Sequence, residues 1–180
     1  MRRKKRSAEQ KDRRISPQMI REAVTFLLIG AFSMMAAVLL VIALGKRMEM
    51  AGDSMSPTIE NGDHVLINRL VYQMSTPKRD DIIVFYGSGN RMRTYIKRVV
   101  AVSGDTVRIA DGILYVNGEP EENTSFDRME DAGIASREIT LGSGEYFVLG
   151  DNRNASEDSR SANIGVVHRD TITGKVWYTY

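Results

Sequence analysis

Residues 106–116 read TVRIADGILYV and contain the clearest fold signal in the chain. Two short runs rich in β-branched and apolar side chains are separated by Asp111-Gly112, which is typical of a two-residue turn between antiparallel strands. Similar runs, bounded by turn-forming residues, occur at 65–71, 81–86, 95–102, 145–150 and 174–180. No long segment beyond residue 47 shows helical periodicity. The pattern predicts a mainly antiparallel β domain over residues 48–180.

The stretch between residues 119 and 137 differs from these strands. Its sequence, EPEENTSFDRMEDAGIASR, is polar and irregular. We therefore predict a surface excursion there, within a domain that is long enough to bury one core.

An apolar segment precedes the β domain. Residues 23–44 contain no charged side chain, and only Thr25, Gly30 and Ser33 are not clearly apolar. A helix of that length is about 33 Å long, which is enough to cross a hydrocarbon core of about 30 Å. A cleaved secretory signal is the alternative, but its apolar region is usually only about 7–15 residues long. The segment therefore predicts one transmembrane helix, with the lipid bilayer as a partner.

Charge is distributed unevenly around this segment. Residues 1–22 contain nine Lys or Arg against three Asp or Glu, whereas the rest of the chain contains sixteen basic and twenty acidic side chains. Because basic flanks stay in the cytoplasm, residues 1–22 are predicted to be a cytoplasmic tail and residues 48–180 to lie outside the cytoplasm. The slightly acidic domain disfavours nucleic acid as a partner.

The residue inventory limits the available chemistry. The chain has no cysteine, which excludes disulfide scaffolds, zinc-thiolate sites and cysteine nucleophiles. His64 and His168 stand in no metal-binding motif, so no cofactor is predicted. Either histidine is a candidate base for a Ser-His-Asp triad, although no local motif supports one.

The segment 52–59, GDSMSPTI, begins eight residues after the apolar span and so lies near the membrane surface. Ser54 stands among small, turn-forming residues and a proline, which predicts a tightly shaped loop. Such a loop holds a nucleophile well, because a backbone N–H beside the serine can face a developing oxyanion. An ordinary polar turn is the alternative interpretation.

The predicted strand YIKRVVAV carries two adjacent basic residues, one on each face. One face carries Tyr95, Lys97, Val99 and Ala101, and the other carries Ile96, Arg98, Val100 and Val102. One basic residue is expected at a solvated edge and the other inside. Burial lowers the pKa of a lysine and can make it a neutral base, which an arginine cannot become. If Lys97 is the buried residue, it is a candidate base for Ser54.

Residues 150–160, GDNRNASEDSR, follow a predicted strand and are dense in short hydrogen-bonding side chains. Such a loop satisfies its own backbone and fixes charges by pairing Asp with Arg. A structured turn without catalytic role and an oxygen-rich cation site remain alternatives.

In this order, these segments resemble bacterial type I signal peptidase. The resemblance rests on the apolar span and on GDSMSPT at 52–58, RDDIIVF at 79–85, YIKRVVAVSGD at 95–105 and GDNRNASEDSR at 150–160. The single anchor and the GDSM sequence are similar to the Gram-positive branch. The resemblance implies a mainly β catalytic domain that removes the signal peptides of exported preproteins after a small residue, at an Ala-X-Ala-like site. Proximity to the export translocase is a further expectation.

The resemblance also implies roles for individual residues. It makes Ser54 the nucleophile, Lys97 the general base, Ser156 the hydroxyl that orients the lysine amine, and Asp158 with Arg160 the charged pair that braces the site. Shallow apolar pockets that admit alanine are expected next to the dyad. The candidates for their lining are Met55, Ile59, Tyr95 and Ile96.

The sequence departs from the family pattern in two places. Gly52 stands where some members have a second serine whose hydroxyl helps to stabilise the oxyanion. Ser54 N–H is then the one oxyanion donor that the sequence identifies. Asn154-Ala155 replaces an Asp-Asn, so these two residues have no expected role.

Two other functions fit parts of the pattern. A self-cleaving repressor-type peptidase uses the same dyad, but it would have a DNA-binding segment instead of an apolar span. A membrane-anchored adhesin or assembly module on a degenerate peptidase fold would usually have lost Ser54 or Lys97, and both are present.

Overall fold

The computed structural model describes residues 16–87, 90–121 and 125–180. They belong to two units, a helical unit that extends to residue 43 and a β unit over residues 44–180. Most of the predicted basic tail, residues 1–15, lies outside the described residues.

The first helix, α1 (Pro17–Leu44), contains the predicted apolar span. It begins before residue 23 because Ser16 and Pro17 favour a helix start. The Ser16 hydroxyl accepts a hydrogen bond from Met19 N–H at 3.2 Å, and a proline at the first helical position sacrifices no hydrogen bond. The segment Pro17–Leu39 is long and apolar enough to cross a membrane.

The β unit consists of short antiparallel strands. The described strands are β1 (Lys46–Glu49), β2 (His64–Asn68), β3 (Ile82–Gly87), β4 (Asn90–Ala101), β5 (Thr106–Ala110), β6 (Ile113–Val116), β7 (Glu119–Pro120), β8 (Ile139–Thr140), β9 (Glu145–Leu149), β10 (Val167–His168) and β11 (Ile172–Thr179). Seven form a large sheet in the order β1-β2-β11-β3-β4-β9-β10, and four form a small sheet in the order β7-β6-β5-β8. All the described pairings are antiparallel, which confirms the predicted fold class.

Two local predictions have different outcomes. The hairpin turn between β5 and β6 is confirmed, since Asp111 and Gly112 have φ values of 51° and 75°. The strand predicted over 65–71 is too long. It ends at Asn68, whose side-chain oxygen accepts hydrogen bonds from the next turn at 3.0 and 3.1 Å. The chain then enters a short helix, α2 (Val71–Met74).

The predicted surface excursion over 119–137 is correct only in part. It contains β7 and a 3-10 turn at Gly133–Ser136, and Met129 and Ala135 are buried. These apolar residues pack into the core that joins the small sheet to β4 and β9. They are too far apart in sequence to produce a periodic pattern.

Strand β4 lies between β3 and β9 and has apolar clusters on both of its faces. Its alternation is broken by a β-bulge between Val99 and Ala101, where it pairs with β9. As a result, Val99 and Ala101 pack in different clusters. The prediction that Ala101 continues the row of Tyr95, Lys97 and Val99 is therefore wrong, because a bulge reorients the residues that follow it.

Candidate active site

Ser54 lies in the turn that connects β1 to β2. Backbone hydrogen bonds shape this turn, from Ser56 N–H to the Asp53 carbonyl at 3.1 Å and from Ile59 N–H to the Met55 carbonyl at 3.0 Å. The side chains of Met55 and Ile59 are fully buried against the large sheet. The tight loop expected from the sequence is therefore anchored in the core, with Ser54 at its partly exposed surface.

Lys97 reaches Ser54 from β4. Its Nζ lies 2.6 Å from Ser54 Oγ, within hydrogen-bonding distance. Of the two adjacent basic residues, Lys97 is the buried one, with only 3% of its surface exposed. Burial lowers the pKa of Lys97 to about 8, because it disfavours the charged form more than the nearby carboxylates, foremost Asp158, favour it. About half of such lysines are neutral near pH 8.

Arg98, on the other face of β4, is bound by a buried carboxylate. Its Nε and one terminal nitrogen donate to the two oxygens of Asp151 at 2.7 and 2.6 Å. The Thr58 hydroxyl donates to the same carboxylate. Asp151 therefore ties the Ser54 turn to β4, a role that the sequence did not reveal beyond placing Asp151 in a polar motif.

The loop over 150–160 contains the expected Asp–Arg pair. Arg160 donates to both oxygens of Asp158, at 2.8 and 2.9 Å, and both side chains are buried. Gly150 N–H donates to the same carboxylate at 3.1 Å. Within the described residues, no group of three or more His, Asp or Glu side chains is placed to hold a metal ion.

Gly150 is the point where the two loops touch. A Cβ at this position would lie 2.2 Å from Ser156 Oγ and 2.4 Å from the Ser54 carbonyl oxygen, far inside van der Waals contact. The same carbonyl accepts a hydrogen bond from Asn152 N–H at 3.2 Å. Only glycine fits here without moving one of the loops.

Ser156 lies inside the site but does not make the contact that the resemblance implies. Its Oγ is buried and has no hydrogen-bond partner among the described residues. The expected hydrogen bond to the Lys97 amine is therefore not present in the structure, and the orienting role of Ser156 stays a prediction.

The four predicted pocket residues do not form one wall. Met55, Ile59 and Ile96 share a buried cluster beneath the Ser54 turn. Tyr95 lies on the opposite face of β4, because consecutive strand residues point to opposite sides of a sheet. Its ring stacks on Phe85 with a centroid separation of 5.6 Å.

Neither histidine is placed as a base for Ser54. His64 is exposed at the first residue of β2, with its ring centroid 5.7 Å from that of Tyr180. His168 is exposed, with Nδ1 3.9 Å from a Glu145 carboxylate oxygen. In the part of the chain that the structure describes, neither hydrogen-bonds Ser54 or Lys97, so the geometry favours the lysine over a triad.

Residues of the 119–137 excursion hold the 150–160 loop from outside. The buried Arg153 donates to both oxygens of Glu121 at 2.7 Å, and its guanidinium carbon lies 4.3 Å from the centre of the Phe126 ring. Asn154 accepts from Glu130 N–H and donates to the Arg128 carbonyl, both at 3.0 Å. Asn154, which had no expected role, therefore ties the loop to the excursion.

Comparison with known proteins gives consistent matches. Residues 21–180 match the family model described as signal peptidase, peptidase S26. Signal peptidase I of Bacillus caldolyticus is 37% identical over 141 residues, which cover 72% of this chain and 75% of that protein. Signal peptidase IB of Staphylococcus aureus is 32% identical over 145 residues, which cover 72% and 74%. A crystal structure of a signal peptidase I from Enterococcus faecalis V583 is 29% identical, covers 57% of this chain and 98% of that chain, and gives a TM-score of 0.44.

Proposed function

The chain belongs to the peptidase S26 family of signal peptidases, serine peptidases that remove signal peptides, and we propose that it does so with a Ser54–Lys97 dyad. The observation that carries this proposal is the 2.6 Å separation between Ser54 Oγ and a buried lysine amine. The lowered pKa of Lys97, about 8, supports it, because only the neutral amine can accept a proton.

The first half of the reaction forms an acyl-enzyme. Neutral Lys97 takes the proton of the Ser54 hydroxyl while Oγ attacks the carbonyl carbon before the scissile bond. The C–N bond then breaks, and the leaving amine takes the proton from the Lys97 ammonium. The Ser54 backbone N–H faces the developing oxyanion. The Gly52 N–H is already engaged, since it donates to the Asn61 side chain at 2.8 Å.

The second half releases the signal peptide. Neutral Lys97 takes a proton from water as the water oxygen attacks the Ser54 ester. The ester bond to Oγ breaks, and the proton returns to Oγ. Asp158, paired with Arg160, acts as a positioning residue through its charge on the lysine. Ser156 is assigned the orientation of the lysine amine on the family resemblance alone.

Substrate and location complete the proposal. The buried side chains of Met55, Ile59 and Ile96 lie beneath the Ser54 turn, and this filled floor favours a small residue before the scissile bond, as at an Ala-X-Ala-like site. Helix α1 is the membrane anchor, with residues 1–22 in the cytoplasm and the β unit on the other side. The site then lies at the bilayer surface close to the export translocase, where translocated signal peptides are left.

The dyad is tested with an exported preprotein and four variants of the full chain in detergent. We expect Ser54→Ala and Lys97→Arg to lower cleavage by about 10²–10⁴-fold, since arginine keeps the charge but supplies no neutral base. His64→Gln and His168→Gln are the controls and should retain most of the activity. An active Lys97→Arg protein, or loss of activity in a folded histidine variant, would revive the triad.

A further inference from the structure

Three carboxylates around Lys97 oppose the lowering of its pKa, and they differ in how their own charge is compensated. They belong to Asp158, Glu157 and Asp151. Arg160 donates two hydrogen bonds to Asp158, and Arg98 donates two to Asp151. Such two-point charge-assisted hydrogen bonds satisfy a carboxylate and fix its orientation.

Glu157 lacks a partner of this kind within the described residues. Its Oε2 lies 3.5 Å from a terminal nitrogen of Arg93 and 3.4 Å from the Tyr95 hydroxyl. Both distances are at the long limit for hydrogen bonds, so both contacts are weak. The charge of Glu157 is therefore the least compensated of the three.

Glu157 is also the carboxylate that solvent reaches. Its side chain is 38% exposed and that of Arg93 is 70% exposed, whereas the side chains of Asp158 and Asp151 are buried. An exposed ion pair of this length contributes little free energy. A cation on a bound molecule can therefore displace Arg93 at small cost.

The position of Glu157 places this charge on the path of a substrate. Glu157 follows Ser156 directly, and its contact Tyr95 lies two residues before Lys97 on the same face of β4. A peptide bound over Ser54 and Lys97 from the exposed side therefore passes the Glu157 carboxylate.

We propose that Glu157 is a specificity-determining residue that favours preproteins with a basic side chain, and disfavours those with an acidic side chain, next to the scissile bond. This inference rests on the proposed function, because it requires a substrate bound over the dyad. A substrate lysine or arginine takes the place of Arg93, while a substrate carboxylate is repelled by Glu157 and attracted only weakly by the exposed Arg93.

The experiment uses peptide substrates that differ only in one residue, Lys, Gln or Glu, moved in turn through the positions that flank the scissile bond. At one or more positions we expect the wild-type kcat/KM for Lys to exceed that for Glu by about fivefold, the size of one exposed charge interaction. Glu157→Gln should remove the difference, Glu157→Lys should reverse it, and Arg93→Gln should enlarge it. Glu138→Lys, at an exposed position beside β8, is the control for net charge.

Measurements well above pH 8 keep Lys97 neutral in every variant, so its titration does not enter the comparison. The Gln substrate separates the two proposals. If Ser54→Ala cleaves it as fast as wild type, the proposed function fails. If only the wild type cleaves it but no charge preference exists, or the preference survives Glu157→Gln, this inference alone is overturned. If Glu157→Gln lowers kcat/KM equally for the Lys, Gln and Glu substrates, the inference is also overturned, because Glu157 would then have a structural role.

Discussion

The two loops that meet at Ser54 and Lys97 are held in place by different forces. The turn over 52–59 depends on backbone hydrogen bonds and on apolar side chains buried beneath it. The loop over 150–160 depends on ion pairs and side-chain hydrogen bonds, both internal and to the 119–137 excursion. Packing therefore sets where the nucleophile lies, and charge sets the electrostatic surroundings of the lysine. Substitutions that remove buried apolar side chains should therefore affect mainly the 52–59 turn, and substitutions that remove charges should affect mainly the 150–160 loop.

The largest expected effect comes from breaking the buried ion pair. Arg160→Met leaves the Asp158 carboxylate buried without its partner, which should lower the free energy of unfolding by about 3–5 kcal/mol. Denaturant unfolding of the full chain in detergent measures the change. The double variant Arg160→Met/Asp158→Asn should recover much of it, because no uncompensated charge remains. A single variant as stable as the wild type would mean that the pair does not hold this loop.

A somewhat smaller effect is expected from the packed turn. Met55→Ala removes a fully buried side chain and should lower the free energy of unfolding by about 3 kcal/mol, through lost apolar burial and the cavity left behind. Unlike the loss from an ion pair, this loss should not depend on salt. Met74→Ala is the matched control, since Met74 is 96% exposed and should have almost no effect. Equal losses at the two positions would contradict the assigned role of the turn.

The smallest effect concerns pH. Activity should fall as the pH drops through the Lys97 pKa of about 8, because the protonated amine cannot act as a base. The Asp158, Glu157 and Asp151 carboxylates raise this pKa, and Arg160 lowers it further than burial alone. Glu157→Gln removes one negative charge that stabilises the protonated Lys97 amine, so the pKa of Lys97 falls. The acid limb of the rate profile should therefore move to lower pH by less than about one unit. Rate profiles of wild type, Glu157→Gln and Glu138→Gln test this, and a shift to higher pH would contradict the sign.

Much of the fold could be predicted from the sequence. The strands, the Asp111-Gly112 turn and the apolar helix follow from local patterns, and all are present in the structure. Alternation along one strand also placed Lys97 and Arg98 on opposite faces, with one of them expected inside, and the structure buries Lys97. These signals are local in sequence, which is why they could be predicted.

Side-chain contacts between segments that are distant in sequence leave no local pattern from which they could be predicted. Arg153 and Glu121 are 32 residues apart and belong to segments with no common periodicity, so their pairing appears only in the fold. The two-residue strands β7, β8 and β10 are too short to show alternation. Tyr95 and Ile96 show the opposite case, because residues that are neighbours in sequence lie on opposite faces of the sheet.

The steric saturation at Gly150 has a consequence for how substrate preference can change by substitution. There is no room for an added methyl group at Gly150, so a larger residue there would destabilise the two loops. It would not add a side chain that a substrate could contact. The exposed side, with Arg93 and Glu157, accepts side chains of different size and charge without disturbing the core. Variation in specificity among related chains, and designed libraries intended to redirect cleavage, should therefore be concentrated at these exposed positions and leave position 150 unchanged.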